Sequence, residues 1–238
     1  MQIAPGLYSM SQTKGGRVHA FLVDDGSDGL TLIDTLYDDD AGVILDELKS
    51  IGRKPTDIRS VALTHSHKSH ISGLATIARL SGATVYAHET EIPIIEGRQK
   101  AKPVGWKFPR PFNAEVYALQ VALNLGIGSH VSWRVDERLK DGDRLGPLEV
   151  IHVPGHTKGC VAFFWSERKA LITGDTVSSW PMNPEISWPT FDLDHKQAQR
   201  SVGKMADLSS VQILCVGHGE PIVQGAADVL KELARKPL

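Results

Sequence analysis

An α/β fold is predicted for this 238-residue chain by three observations. Short runs rich in β-branched and aromatic residues are separated by Gly and Asp turn signals. Segments of helical period follow them. The order, strands then helix, occurs twice. Two such halves, each a sheet with helices outside, stack sheet to sheet as a four-layer αββα sandwich. The pattern alone specifies only α/β or α+β.

The first half opens with strands GLYSM (6–10), VHAFLVDD (18–25) and LTLIDTL (30–36). DDDAGVILDELKSIG (38–52) then places Ile44, Leu48 and Ile51 on one helical face, with aspartates at its N-terminal end, where the helix dipole favours them. SVALT (60–64) is a nearly all-apolar strand of the kind covered on both faces. ISGLATIARLSG (71–82) predicts a helix through Ile71, Leu74, Ala75 and Ala78 that stops at Gly82. TVYAHE (84–89) returns as a strand.

Between about 91 and 136 the pattern breaks. EIPIIEGRQKAKPVGWKFPRPFN (91–113) mixes Pro, Gly and basic residues with Trp106, Phe108 and Phe112 and has no clear period. Long irregular segments of this kind are commonly functional loops, so 91–136 is read as an insertion or lid over a site within a single 1–238 domain. Order resumes with RLKDGDRL (138–145) and PLEVIHV (147–153) as a hairpin. CVAFFWS (160–166) and ALITG (170–174) follow, joined by a charged turn at 167–169. DHKQAQRSVGKMADL (194–208) is a helix, VQILCVG (211–217) a buried strand, and GAADVLKELARK (225–236) the last helix.

Composition narrows the function. Hydrophobic residues make up 41% of the chain, enough for a proper core, and the net charge is −2. Lys and Arg are scattered, which argues against a nucleic-acid or anionic-membrane partner. No apolar run reaches bilayer-spanning length. The start, MQIAPGLYSM, lacks the basic and apolar regions of a secretion signal. Cys160 and Cys215 lie in apolar strand-like runs and are expected to be buried free thiols, so the expected compartment is the cytoplasm.

The ten histidines are the unusual feature. Four strands each run into a candidate metal ligand at the carboxyl end. SVALT leads to His65, His67 and His70; LEVIHVPG leads to His156; ALITG leads to Asp175; VQILCVG leads to His218. Ligands bind outside strand carboxyl ends in open α/β sheets. His65 and His67, two apart on extended chain, project to one side. His70 falls where a helix starts, so the turn can swing it to a neighbouring position. Any one of these alone would be an ordinary hydrogen-bonded loop residue, but their convergence carries a mechanism. Imidazole and carboxylate suit Zn²⁺, one ion or two, with Fe or Mn as variants. His19, His88, His130, His152 and His195 lack such company and are read as structural or surface residues.

At this point a family becomes visible. LTHSHKSHISG (63–73) resembles the T-H-x-H-x-D-H-x-G-G signature of the metallo-β-lactamase superfamily. HVPGHTKGC (152–160), ITGDT (172–176) and VGHGEP (216–221) are similar to its later motifs in order and approximate spacing, so the likeness covers 30–221. In relatives such as glyoxalase II, the resemblance implies a four-layer αββα sandwich with a first metal on His65, His67 and His156. It implies a second on His70 and His218, with Asp175 bridging. The chain departs from the signature at Ser69, where the family usually has an aspartate that binds the second metal and helps orient the nucleophile. A serine hydroxyl is a poor neutral ligand, so the second site is expected to be weak. Ile71-Ser72-Gly73 also replaces the usual x-G-G.

The expected activity is hydrolysis of an ester, lactone, thioester or related bond by a metal-bound hydroxide, with Asp175 and Ser69 as candidate catalytic groups. Trp106, Phe108, Trp180 and Trp188, with Met182, lie in loops near the motifs and are read as an apolar wall for a small-molecule substrate. A homodimer is compatible with this reading. Two other classes stay open: a mononuclear iron dioxygenase, like the superfamily's persulfide-oxidising members, and a catalytically silent binding protein. A flavodiiron-type redox protein fits less well, since its glutamate normally stands where this chain has His67.

Overall fold

The computed structural model describes residues 1–13, 17–26, 29–100, 132–180, 183–187, 191–208 and 210–237. Among these residues the first sheet has seven strands in sequence order: β1 (Gln2–Ala4), β2 (Leu7–Gln12), β3 (Val18–Val23), β4 (Leu30–Ile33), β5 (Ile58–Ala62), β6 (Thr84–His88) and β7 (Glu137–Leu139). It is antiparallel from β1 to β4 and parallel from β4 to β7. The remaining strands are β8 (Arg144–Leu145), β9 (Leu148–His152), β10 (Val161–Trp165), β11 (Ala170–Gly174), β12 (Val177–Ser178), β13 (Glu185–Ile186) and β14 (Ile213–Val216). Five of them form the second sheet in the order β14-β11-β10-β9-β8, while β12 and β13 make a separate ribbon.

Alternation along the strands builds three cores, and these define four layers. On β3, Phe21 and Val23 face the second sheet, while Val18, Ala20 and Leu22 face outward. The inward residues meet Leu148, Val150, Val161, Phe163 and Trp165 in a core between the sheets. Outside the first sheet lie α1 (Gly42–Ser50), α2 (Lys68–Ile71) and α3 (Leu74–Ser81), with Ile44, Leu48, Leu74 and Ile77 buried against it. After α4 (Ile92–Ile95), the helices α5 (His195–Ala206) and α6 (Ala226–Arg235) cover the second sheet through Ala198, Val202, Met205, Leu230 and Leu233. Each buried Val, Leu, Ile or Met among them contributes about 1.5–3 kcal/mol. The expected four-layer αββα sandwich is the fold.

Two local expectations change. RLKDGDRL is not one continuous arm of a hairpin: Arg138 and Leu139 belong to β7, parallel to β6. The antiparallel contact with β9 starts at Gly142 and Asp143, whose main chain bonds Val150, and runs through Arg144 and Leu145. The chain crosses between the sheets at a turn where Gly142 takes φ +84° and Asp143 accepts a hydrogen bond from the Lys140 amide at 2.7 Å. Leu139 and Leu145 both enter the inter-sheet core, so hydrophobic period could not tell the two sheets apart. The aspartates before α1 lie in the preceding turn, where Asp40 accepts from the Gly42 amide, and none sits in the first helical turn.

Of the irregular stretch, 101–131 lies outside the described residues. Within the rest, Ile95 of α4 is buried, and Trp133 and Val135 pack on the outer core of the first sheet. Cys160 and Cys215 are buried free thiols. Among the described residues no helix is long and apolar enough to cross a membrane.

Candidate metal centre

The four predicted ligand-bearing strand ends meet at one rim of the sandwich. β11 ends directly before Asp175, and β14, its parallel neighbour, ends two residues before His218. β5 leads through Leu63 and Thr64 to His65. A bond from the Val161 amide to the Thr64 carbonyl, 3.0 Å, ties the first sheet to the second just below the site. His156 follows β9 after a turn at Gly155, whose φ of +141° is open only to glycine. A Cβ at Gly155 would also lie 2.2 Å from the Ala198 amide, so α5 packs directly on this loop.

Two sets of donors result. His65, His67, His156 and Asp175 each offer an atom within 4.8 Å of the others, and so do His70, Asp175 and His218. Asp175 lies between them. Its Oδ2 is 3.5 Å from His156 Nε2, 3.5 Å from His218 Nε2 and 3.8 Å from His65 Nε2, while Oδ1 is 3.1 Å from His70 Nε2. His67 Nδ1 and His156 Nε2 approach to 2.9 Å. Six predicted ligands are thus brought together.

The donor set fits a divalent metal. His65 Nε2, His70 Nε2 and Asp175 Oδ1 are buried without a well-directed hydrogen bond among the described residues, although the last two face each other at 3.1 Å. Buried polar atoms normally have one. Gly217 leaves the necessary room, because a Cβ there would come within 2.1 Å of Asp175 Oδ1 and 2.9 Å of His70 Cε1.

Groups behind the imidazoles fix their protons. Asp34 Oδ2 lies 2.8 Å from His70 Nδ1 and accepts the Thr64 hydroxyl at 2.7 Å, and Thr64 Oγ1 is 3.0 Å from His65 Nδ1. Since that hydroxyl donates to Asp34, it accepts from His65, and both rings turn Nε2 inward. His156 Nδ1 faces Ser187 Oγ at 2.8 Å and Asp192 Oδ1 at 3.0 Å. Glu91 accepts from the amide and hydroxyl of Ser66 and, at 2.8 Å, from the Gly159 amide, stapling the His65–His67 loop to the His156 loop.

Electrostatics follow from burial. Burial, then the neighbouring His70, holds His65 well below the usual imidazole range. Burial, then His156, lowers His67 to about 3. Burial also pulls on His70, but the carboxylates of Asp175 and Asp34 outweigh it and raise that ring to about 10. For Asp175, burial is outweighed by His218 and His70, and its carboxyl lies well below the usual range. Burial thus favours neutral rings at His65 and His67, and the surrounding rings favour an ionised Asp175, the states in which these groups ligate a cation.

The structure treats the other candidates unequally. Ser69 is half-buried on α2, one residue before His70. Trp180 is half-buried next to the His218 loop, where the Ser179 amide bonds the His218 carbonyl at 2.9 Å. Trp106, Phe108, Trp188 and Met182 lie outside the described residues, as does His130. Two histidines first read apart from the cluster stand close to it. His19 is buried, lowered to about 4 by its burial, and its amide bonds the Gly217 carbonyl. His195 Nδ1 is 2.5 Å from Asp192 Oδ2. Asp34, Glu91 and Asp192 were missed. Asp34 had a signal, an aspartate ending a strand; the other two had none.

An αββα sandwich carrying a His/Asp cluster at one rim defines a class of metal-binding fold. This chain belongs to the metallo-beta-lactamase superfamily, whose family model matches residues 13–218. It is 27% identical over 220 residues to a probable metallo-hydrolase, YflN, of Bacillus subtilis, covering 86% of this chain and 81% of that one. It is 26% identical over 204 residues to a hydroxyacylglutathione hydrolase of Fuscovulum blasticum, covering 84% of this chain and 61% of that one. A crystal structure of a metallo-beta-lactamase family protein from Thermus thermophilus superposes with a TM-score of 0.68 at 25% identity, covering 98% of this chain and 79% of that one.

Proposed function

We propose that the protein is a metal-dependent hydrolase of an ester, lactone, thioester or related bond. His65, His67, His156 and Asp175 would hold a first metal. His70, His218 and the shared Asp175 would hold a second. The observation that carries this reading is the convergence of the donors, each set within 4.8 Å, with two imidazole nitrogens and a carboxylate oxygen buried without a well-directed hydrogen bond. Imidazole and carboxylate donors favour Zn²⁺, with Fe or Mn as variants.

When bound, the metal supplies Lewis acidity and a water whose pKa falls to about 7. The chain's own residues do the rest. Asp34 and Thr64 keep the protons of His70 and His65 on Nδ1, so both rings offer Nε2. Asp175, held ionised between the two donor sets, is the acceptor placed to orient an attacking water. Ser69 would leave the second site weak, because a neutral hydroxyl stands there in place of an anionic donor. Trp180, with Trp106, Phe108 and Trp188, would form the apolar wall that receives the acyl part of the substrate. The hydroxyacylglutathione hydrolases among the relatives, by name enzymes acting on an acylated thiol, put thioesters first in the panel.

Unequal donor sets, four against three, favour one alternative, a mononuclear iron dioxygenase. Elemental analysis of the protein as purified, coupled to a screen of thioesters, lactones, esters and β-lactams, separates the two. Hydrolysis that is lost on chelation and restored by Zn²⁺ supports the hydrolase. Stoichiometric iron with oxygen uptake on a thiol selects the dioxygenase. Absence of any stoichiometric transition metal overturns both.

A further inference from the structure

Asp192 donates nothing to the cluster and belongs to no motif, yet its side chain is 0% exposed and lies against two imidazoles. Oδ1 is 3.0 Å from His156 Nδ1, and Oδ2 is 2.5 Å from His195 Nδ1. Ser187 Oγ, 2.8 Å from His156 Nδ1, completes the group. Main-chain bonds lock this arrangement. The Leu193 amide bonds the His156 carbonyl at 3.2 Å and the Asp194 amide bonds the Gly155 carbonyl at 2.9 Å. Asp194 then caps α5, accepting from the Gln197 amide at 2.9 Å. The carboxylate is held from both sides, by the helix start and by the loop that carries His156.

A neutral imidazole has one ring proton, and its position decides which nitrogen can bind a cation. A buried carboxylate beside Nδ1 draws the proton there, because an unpaired buried anion is costly. Nε2 then keeps its lone pair, and Nε2 is the atom that faces Asp175 at 3.5 Å and His67 Nδ1 at 2.9 Å. Without the carboxylate, the proton can sit on Nε2 and block ligation, and the ring can turn. His70 directly, and His65 through Thr64, already share one such support in Asp34, and His156 has its own in Asp192.

We propose that Asp192 is a positioning residue for His156, setting its tautomer and ring plane, with His195 as the outer anchor of the carboxylate. This rests on the metal reading given above. Groups of this kind typically carry 10–100-fold in metal affinity. The effect is specific to the first donor set, because the second contains no contact with Asp192 among the described residues.

The test uses the full chain, stripped by a chelator and titrated with Zn²⁺ and with Co²⁺ as a spectroscopic probe. Asp192→Ala should weaken the first Zn²⁺ equivalent by about 10–100-fold and alter the Co²⁺ d–d spectrum. Asp192→Asn, which keeps an oxygen for His156 Nδ1, should recover part of both. Wild-type binding with both variants unchanged overturns the inference and leaves the proposed function standing. So does an equal loss of both metal equivalents together with a lower melting temperature of the metal-free protein, since that marks a merely structural role. Failure of the wild-type chain to take up either metal overturns the proposed function as well.

Discussion

The His70 ring is held between two carboxylates, with Nδ1 2.8 Å from Asp34 Oδ2 and Nε2 3.1 Å from Asp175 Oδ1. Asp34 also accepts the Thr64 amide at 2.8 Å and the Thr64 hydroxyl at 2.7 Å, so three donors depend on it. Its φ is +62°, a region that Asn and Asp tolerate better than Ala. Asp34→Ala therefore orphans buried donors, at about 1–3 kcal/mol each, and strains the backbone. Asp34→Asn keeps the conformation and one strong acceptor. Urea denaturation of the metal-free protein should show the alanine variant as the less stable; equal midpoints would contradict the argument.

Gly217 separates β14 from His218, and nothing larger fits there. A methyl group within 2.1 Å of Asp175 Oδ1 must displace the one carboxylate shared by both donor sets. Gly217→Ala is expected to lose metal binding at both positions while retaining a cooperative thermal transition. Calorimetric titration with Zn²⁺ beside a melting curve checks this, and an intact two-site isotherm refutes it.

Glu91 reaches across the rim, tying Ser66 to Gly159 through its two oxygens. An amide in its place presents an NH₂ to one of these N–H donors, so one loop loses its partner. Glu91→Gln should cost about 1–3 kcal/mol of stability. It should also weaken the first metal more than the second, because the loops it joins carry His65, His67 and His156. Amide hydrogen exchange at 64–67 and 156–160 gives the direct readout, with faster exchange in the variant.

The candidate ligands were readable because each lies in a segment that follows an apolar strand, and an apolar run leading into His or Asp is a local signal. Glu91 and Asp192 were not, because their meaning lies in partners 25 to 68 positions away along the chain, whereas Asp34 carried the strand-end signal and only its partners Thr64 and His70 give it a role. No periodicity encodes such a distance. The repeated order of elements narrowed the architecture only to α/β or α+β, and the resemblance carried by the four motifs supplied the four-layer stacking. The split of RLKDGDRL between two sheets was not readable, since both destinations bury Leu139 and Leu145 alike. His195 shows the same limit: half-buried at a helix start, it becomes informative only once Asp192 is seen beside it.

Burial raises the thiol of Cys215 above its ordinary value, and it raises Cys160 as well, with Glu91 adding to the effect. A thiol whose folded value exceeds the unfolded one releases its proton first in the unfolded chain. Stability from these groups is thus intact below about pH 8.5 and falls as pH rises beyond it. Iodoacetamide, which needs the thiolate, should leave both cysteines unlabelled at pH 8 in the folded protein and modify both in urea. Rapid labelling of either in the native state, read by mass spectrometry, would contradict their burial.

Ser69 sits between His67 and His70 on α2, and the donor count around it is unequal: four for the first set, three for the second. A carboxylate at 69 would add an anionic oxygen donor from the segment that already supplies His67 and His70. A hydroxyl adds a weak neutral one. The wild-type protein should therefore retain about one metal equivalent after exhaustive dialysis, the open shell of the second site letting its ion exchange. Ser69→Asp should raise this toward two, and Ser69→Ala should leave it unchanged. Mass-spectrometric metal analysis of the three proteins decides. Two tightly held equivalents in the wild type would mean that another group completes the second shell, and an unaltered count in the aspartate variant would mean that position 69 does not face the metal.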